Sequence, residues 1–107
     1  MRSLQPASTL LNAGTSAIDK GTTLLKAMAN ENRLRILCLL DDAELSVTEL
    51  NRKLSLSQSA LSQHLAILRR ENLVVTRRAS QTIYYSLAGD EARTVIDALV
   101  ALYSKTR

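Results

Sequence analysis

The stretch Ser57-Gln-Ser-Ala-Leu-Ser-Gln-His-Leu-Ala-Ile-Leu-Arg-Arg70 decides how the chain folds. Leu61, Leu65 and Leu68 are spaced at i, i+4 and i+7, which places them on one face of a helix. Ser57 stands before the first turn, where its hydroxyl can accept a hydrogen bond from a free amide of that turn. The stretch therefore predicts a capped, amphipathic helix.

The opposite face of this helix carries amides and hydroxyls where surface helices usually carry charges. Gln can bond adenine in a bidentate manner and Ser can bond several base edges, whereas a Lys-rich face would find only phosphates. This pattern is typical of a recognition helix that enters the major groove with its N-terminus first. From this stretch alone, a solvated amphipathic helix is an equal alternative. The predicted base-reading residues are Gln58, Ser59, Ser62 and Gln63.

Size and composition indicate one small domain. A chain of 107 residues with 46% hydrophobic content can bury one core. Its three Tyr are the only aromatic residues, which argues against stacking platforms for single-stranded nucleic acid. The formal charge of +4 is compatible with a polyanionic partner. The positive excess lies before residue 30 and in residues 73–88, beside the polar helix and not on it.

The cellular compartment is indicated by what the sequence lacks. A single cysteine, Cys38, excludes an internal disulfide and suits a reducing environment. Residues 1–15 contain no apolar run typical of a signal sequence, and no segment is long and apolar enough to span a membrane. We therefore expect a soluble, cytoplasmic protein.

Three helices are predicted before the polar helix. Residues 1–15 show no sustained period and are expected to form a flexible arm, with at most a fragment of helix around Ser8–Asn12, and residues 16–105 are expected to form the domain. The helix predicted at Glu31–Leu40 carries apolar residues nearly all round, so it should lie at the centre of the core. A short helix, a tight turn and the polar helix form a helix-turn-helix. The three helices are Ser16–Met28, Glu31–Leu40 with Asn30 as its cap, and one opened by the capping box Ser46-Val-Thr-Glu49.

The polar helix is expected to end at Glu71-Asn72, where Asn can take the left-handed end position. After it the apolar pattern changes from helical to alternating. Leu73–Arg78 and Thr82–Leu87 are rich in β-branched and aromatic residues and predict two strands, linked as a hairpin by Ala79–Gln81. A last helix is expected from Glu91 to about Lys105. Because its apolar positions cover more than one face, it should bury a second surface, most simply against a symmetry mate.

A hairpin with a basic tip, directly after a helix-turn-helix, makes a winged helix. Its guanidinium groups are expected to reach phosphates or a narrow minor groove. A solvated β-turn with surface arginines is the alternative, and the polar helix before it favours DNA. The predicted wing residues are Arg77, Arg78, Gln81 and Thr82. Secondary candidates for the DNA backbone are Arg33, Ser46 and Ser57.

With these residues placed, the chain resembles the ArsR/SmtB family of dimeric winged-helix repressors over residues 16–104. Within that family it is most similar to the branch of the nodulation repressor NolR, the haemolysin regulator HlyU and persulfide-sensing repressors. The resemblance implies a homodimer paired through its first and last helices on an imperfect palindrome in promoters. The motifs are Leu24-Leu-Lys-Ala-Met-Ala-Asn30, Arg33-Leu-Arg-Ile-Leu37, Glu44-Leu-Ser-Val47, Leu56-Ser-Gln-Ser-Ala-Leu-Ser-Gln-His-Leu65 and Ala79-Ser-Gln-Thr-Ile-Tyr-Tyr85.

Metal sensing, which the family is known for, is not expected here. One family site uses a Cys-x-Cys pair at the start of the third helix, where this chain has Ser46 and Thr48 and so no thiolate. The other site needs Asp and His on the last helix, which has no His. The single histidine, His64, is expected to be packed or bonded near the DNA surface. The last helix offers only the carboxylates of Asp90, Glu91 and Asp97.

A second family device joins two cysteines by oxidation or polysulfide and releases DNA. Cys38 matches the first cysteine, but Ser104 occupies the partner position, and a hydroxyl cannot form the bridge. Either this chain has lost the switch naturally, as NolR-like members have, or a cysteine was replaced. Cys38 itself is expected to be packed among apolar residues, with a raised pKa and low reactivity. Sensing by Cys38 alone is the alternative.

The sequence thus predicts a mostly α-helical winged helix-turn-helix with a small β-hairpin. The expected function is a sequence-specific, DNA-binding transcriptional regulator, a repressor or anti-repressor, without metal or cofactor. A thiol-responsive regulator is one alternative. A winged helix used only for protein interaction is another, although an interface would favour apolar or aromatic anchors over Gln and Ser. An enzyme is not expected, because no nucleophile, glycine loop or metal set is recognisable.

Overall fold

A computed structural model describes residues 6–104 of the chain. Residues 1–5 of the expected arm and Lys105 of the expected last helix lie outside this range. The described chain is mostly helical, with one small sheet. The helices are α1 Ser8–Asn12, α2 Thr15–Met28, α3 Glu31–Leu40, α4 Val47–Leu54, α5 Gln58–Arg70 and α6 Glu91–Tyr103, and the strands are β1 Leu45–Ser46, β2 Val74–Ala79 and β3 Thr82–Leu87.

Side-chain caps begin the three central helices, as the sequence predicted. Asn30 accepts hydrogen bonds from the amides two and three positions along α3. At α4, the Ser46 hydroxyl accepts from the Glu49 amide at 3.2 Å, and the Glu49 carboxylate accepts from the Ser46 amide at 2.9 Å. Ser57 accepts from the Ala60 amide of α5 at 3.1 Å. These caps satisfy amides that a helix start otherwise leaves without partners.

Left-handed residues end two of these helices. Ser55, at φ 56°, ends α4 and allows the tight turn into α5. Asn72, at φ 61°, follows α5 and turns the chain into β2. Asn is among the residues that tolerate this conformation best, which is why its position predicted the end of the helix.

The core forms where α3 contacts α2, α4, α5 and β3. The predicted face of α5 is buried, and α3 is central, as expected. The prediction that Cys38 of α3 is packed among apolar residues is wrong: Cys38 is exposed, because the elements around α3 leave that side open. The most deeply buried side chains are Ile36, Leu37, Leu40, Leu50, Leu61, Leu65, Leu68 and Val74.

The sheet has three antiparallel strands in the order β1-β3-β2, one more than predicted. In β1, Ser46 pairs with Tyr84 of β3, and Tyr84 pairs on its other side with Arg77 of β2. Ala79 belongs to β2 and pairs with Thr82, so the turn has two residues instead of the predicted three. The winged helix-turn-helix fold is confirmed, with an additional short helix, α1, before it.

Apolar side chains remain on the surface of α2 and α6, which contact each other. On α6, Val100, Leu102 and Tyr103 are 51%, 60% and 78% exposed, and Leu25 of α2 is 56% exposed. Large apolar groups at this degree of exposure are typical of surfaces that another molecule covers. Among the described residues, no helix is both long and apolar enough to cross a membrane.

Replacing the cap of α4 tests the local account of the helix-turn-helix. Ser46→Ala should lower the free energy of unfolding by about 0.5–2 kcal/mol, because the Glu49 amide loses its acceptor at a buried position. Ser62→Ala is the matched control, since Ser62 is exposed in the middle of α5, and it should change stability by less than about 0.5 kcal/mol. Urea unfolding measures both, and equal losses would contradict the assignment.

Candidate nucleic-acid interface

The polar residues of α5 lie together on the exposed side of the helix. Gln58, Ser59, Ser62 and Gln63 are all exposed, while the leucines of the same helix are buried against the core. The Ser57 and Ser59 hydroxyls are 3.4 Å apart at the start of the helix. The structure therefore brings the four predicted base-reading residues onto one surface held rigidly from behind.

A cleft between α4 and the start of α5 adjoins this surface. It is lined by Val47, Thr48, Asn51, Arg52 and Gln58. The side-chain oxygen of Asn51 is buried there and has no hydrogen-bond partner among the described residues. The sequence prediction did not include Asn51 or Arg52. The available signal was that Arg52 is a basic residue in the first helix of a helix-turn-helix, the helix that crosses the DNA backbone in such folds.

The wing presents its two arginines differently. Arg78, Gln81 and Thr82 are exposed near the tip. Arg77 instead binds Glu44, with its Nε 2.9 Å and its Nη2 2.7 Å from the two carboxylate oxygens. Its guanidinium carbon also lies 4.9 Å from the centroid of the Tyr84 ring. The hydrogen bonds from Arg77 lower the pKa of Glu44, so the pair stays charged at neutral pH.

Arg33 of α3 is half-buried and joins the end of α2 to α5. Its Nε donates to the Ala27 carbonyl at 2.6 Å and its Nη2 to the Lys26 carbonyl at 3.3 Å, both near the end of α2. Its Nη1 is 3.5 Å from Nδ1 of His64, a half-buried residue of α5. Ser46 and Ser57 are engaged as caps. All three secondary backbone candidates therefore have partners within the protein.

Comparison with known proteins identifies the family of the chain that carries this surface. Residues 30–76 match the model of the bacterial regulatory protein, arsR family. The transcriptional activator HlyU from Vibrio cholerae is 60% identical over 84 residues, which make up 78% of this chain and 78% of HlyU. The chain belongs to the ArsR family. It is a DNA-binding transcriptional regulator.

Solved structures agree in fold over nearly the whole chain. NolR from Sinorhizobium fredii matches with a TM-score of 0.80 and 42% identity, covering 99% of this chain and 100% of NolR. A homodimeric winged helix-turn-helix DNA-binding domain from Mycobacterium bovis matches with a TM-score of 0.72 and 25% identity, covering 98% and 92%. The arrangement of helices and wing is thus shared with ArsR-family regulators.

At the places where the sequence comparison expected ArsR-family metal ligands, this chain has other side chains. Ser46 is buried and capping, and Thr48 is exposed at the start of α4. No three His, Cys, Asp or Glu side chains within residues 6–104 are close enough together to hold a metal ion. The absence of metal sensing stays a prediction.

Cys38 is not packed in the core, contrary to the first of the two interpretations from sequence. It is exposed beside a shallow groove formed by Leu34, Leu39 and Leu54, with Lys53 at its rim. Its neighbours nonetheless remove enough water to raise the thiol pKa, and the Asp41 carboxylate raises it further. The expected low reactivity therefore rests on a raised pKa and not on burial.

Arg33 should contribute to stability, since its guanidinium satisfies carbonyls at the end of α2. Arg33→Gln is expected to cost about 1–2 kcal/mol of unfolding free energy. Arg35→Gln is the matched control, because Arg35 only pairs with Glu31 on the exposed side of α3, and it should cost less than about 0.5 kcal/mol. Urea unfolding measures the free energy of unfolding of both variants. A smaller loss for Arg33→Gln than for Arg35→Gln would overturn the stabilising role of Arg33.

Cys38 should react slowly with iodoacetamide at pH 7, because the thiolate is the nucleophile and a raised pKa leaves less of it. As the pH rises, the rate should keep increasing beyond the point where that of N-acetylcysteine, the control thiol, levels off. Mass spectrometry of quenched samples gives both rates. A rate at pH 7 equal to or above that of the control would contradict the raised pKa.

Proposed function

We propose that this ArsR-family regulator binds duplex DNA as a homodimer, with the N-terminal half of α5 in the major groove and the wing tip on the neighbouring backbone. The observation that carries the proposal is the division of α5 into a buried leucine face and an exposed face of amides and hydroxyls. A helix anchored from behind presents these groups at fixed positions, as direct reading of base edges requires.

The base readers are Gln58, Ser59, Ser62 and Gln63. Gln can form two hydrogen bonds with adenine, and a Ser hydroxyl can donate or accept, so the four side chains can distinguish base pairs in the major groove. None of them has a charge, so their contribution to affinity depends on the base that they meet. This is what supports sequence-specific binding over general attraction to DNA.

Phosphate contacts come from residues on either side of the readers. Arg78, Gln81 and Thr82 lie near the tip of the wing, and Thr48 and Arg52 line the cleft at α4. Backbone contacts of this kind set register and orientation without reading sequence. Arg33, Ser46 and Ser57 act indirectly in this proposal, since their hydrogen bonds hold α4 and α5 in place.

The apolar surface of α2 and α6 supports the homodimer. Leu25, Val100, Leu102 and Tyr103 are exposed on two helices in contact, and a second copy of the chain would cover them. Two-fold symmetry repeats each half-site in inverted orientation, so the operator is an imperfect palindrome. HlyU bears the name of an activator, so promoter occupancy can act in either direction. No metal or cofactor takes part in the proposal.

Replacement of the readers should change base preference. Gln58→Ala and Gln63→Ala should each cost about 1–3 kcal/mol on a duplex selected by the wild-type chain from a random pool, and less on an unrelated duplex. Lys53→Ala is the control, as it removes a charge from α4 on the groove beside Cys38. Fluorescence anisotropy measures the affinities. Equal losses on both duplexes would show that Gln58 and Gln63 do not read bases.

The dimer should persist at micromolar concentration with two recognition helices about 34 Å apart, one turn of DNA. Leu102→Glu should produce monomers, because it places a charge within the apolar surface of α6. Val75→Glu, on the exposed side of β2 in the wing, is the control and should leave the dimer intact. Analytical ultracentrifugation distinguishes the species, and a wild-type monomer would overturn the dimer proposal.

A further inference from the structure

Glu44, Arg77 and Tyr84 form a cluster that spans the sheet. Glu44 directly precedes β1, Arg77 is in β2, and Tyr84 belongs to β3 between them. The Arg77 side chain passes over the Tyr84 ring and reaches the Glu44 carboxylate with two hydrogen bonds. A bidentate bond between a guanidinium and a carboxylate fixes orientation as well as distance, which a single contact with Lys would not do.

The cluster lies at the point where the three-stranded part of the sheet gives way to the two-stranded tip of the wing. Ser46, Tyr84 and Arg77 are aligned across the three strands, and this is the last row in which all three strands are present. Beyond it, Arg78 pairs with Ile83 and Ala79 with Thr82, so the tip is a two-stranded hairpin. A two-stranded hairpin is marginally stable by itself. The cluster therefore joins the base of the tip to the rest of the sheet.

The same cluster joins the wing to the helix-turn-helix. Glu44 stands two residues before Ser46, whose hydroxyl caps α4. The ion pair thus connects the wing to the segment that sets the start of α4, the helix that precedes the recognition helix α5. A large tilt of the wing relative to α4 would separate the Arg77 guanidinium from the Glu44 carboxylate.

Arg77 and Arg78 have different surroundings, as neighbours in a strand should. Successive side chains of a strand point to opposite faces, so the two guanidinium groups cannot lie on the same side of the sheet. In the part of the chain that the structure describes, the Arg78 side chain has no ion-pair or hydrogen-bond partner. Arg78 is available to a phosphate without giving up a contact, whereas Arg77 would have to release Glu44.

We propose that Glu44 and Arg77 are positioning residues for DNA binding: the Glu44 carboxylate holds Arg77 over Tyr84 and so fixes the angle at which the wing meets the backbone, while Arg78 makes the phosphate contact. This refines the prediction from sequence, in which both arginines touched the backbone. It rests on the proposed function in that it assumes a wing on DNA.

For one substitution, a charge effect and a positioning effect predict opposite changes in DNA affinity. Glu44→Gln removes a negative charge near the DNA, so charge alone would tighten binding to any duplex. Positioning predicts weaker binding to the selected duplex, by about two- to fivefold, because Gln cannot hold the guanidinium in the same way. Fluorescence anisotropy on the selected duplex and on an unrelated duplex measures the change.

The salt dependence of DNA binding distinguishes a phosphate contact by Arg78 from a positioning role for Arg77. Arg78→Gln should lower the slope of log affinity against log salt by about one unit per protomer, since a phosphate contact is lost. Arg77→Gln should weaken binding to the selected duplex as Glu44→Gln does, with an unchanged slope. Arg35→Gln, which removes an exposed arginine of α3 that pairs with Glu31, is the control and should bind as the wild type does. Thermal unfolding by circular dichroism checks that each variant is folded.

The charge swap Glu44→Arg with Arg77→Glu covers the case in which a single variant does not fold. It restores an ion pair of opposite polarity, so relative to Arg77→Glu alone the double variant should gain more affinity for the selected duplex than for the unrelated duplex. The added positive charge by itself would raise both affinities equally. Tighter binding by Glu44→Gln, a lower salt slope for Arg77→Gln, or no such selective gain from the swap would each overturn the positioning role. Failure of the wild-type chain to bind either duplex would instead overturn the proposed function.

Discussion

The burial of one face of α5 against α3 is the constraint on which the rest of the structure depends. Leu61 and Leu68 are fully buried and Leu65 nearly so, so the helix cannot rotate without exposing them. Because an α-helix has a fixed period, burial of this face determines that Ser59 and Gln63 face outward. The surface that reads DNA in our proposal is thus set by hydrophobic packing on the other side of the same helix.

Outside the hydrophobic core, arginine side chains fix the positions of neighbouring elements. Arg33 ties the end of α2 to α5, and Arg77 ties the wing to the segment before α4. Arg93 of α6 binds the side chain and the carbonyl of Asp41, which ends α3, at 2.9 Å and 3.0 Å. In each case a planar group with several donors joins two separate elements of the fold. Positive charge in this chain therefore serves its architecture as well as its attraction to DNA.

Much of the fold could be predicted because its signals are local. The caps at Asn30, Ser46 and Ser57 and the leucine spacing of α5 depend only on residues within a few positions of each other, and all were found where expected. Strand β1 was missed because two residues before a capping box have no period of their own; they become a strand only by pairing with β3.

In the candidate site, too, sequence predicted the features that depend on nearby residues and missed those that depend on distant ones. The exposure of Ser59, Ser62 and Gln63 follows from helix period, so sequence predicted it. Gln58 lies close to the leucine face in period and is exposed because it stands in the first turn of α5. The roles of Arg33 and Arg77 could not be predicted, since their partners His64 and Glu44 lie 31 and 33 positions away. The exposure of Cys38 likewise depends on which elements surround α3, and its apolar neighbours in sequence gave no sign of the open side.

The central claim is that α5 and the tip of the wing form one DNA-binding surface, and amide hydrogen exchange with and without duplex tests it most directly. With a selected duplex, protection should increase at residues 57–63 and 78–82 and stay unchanged in the middle of α3, which the core already protects. Protection confined to α2 and α6, with no change at α5, would contradict the account.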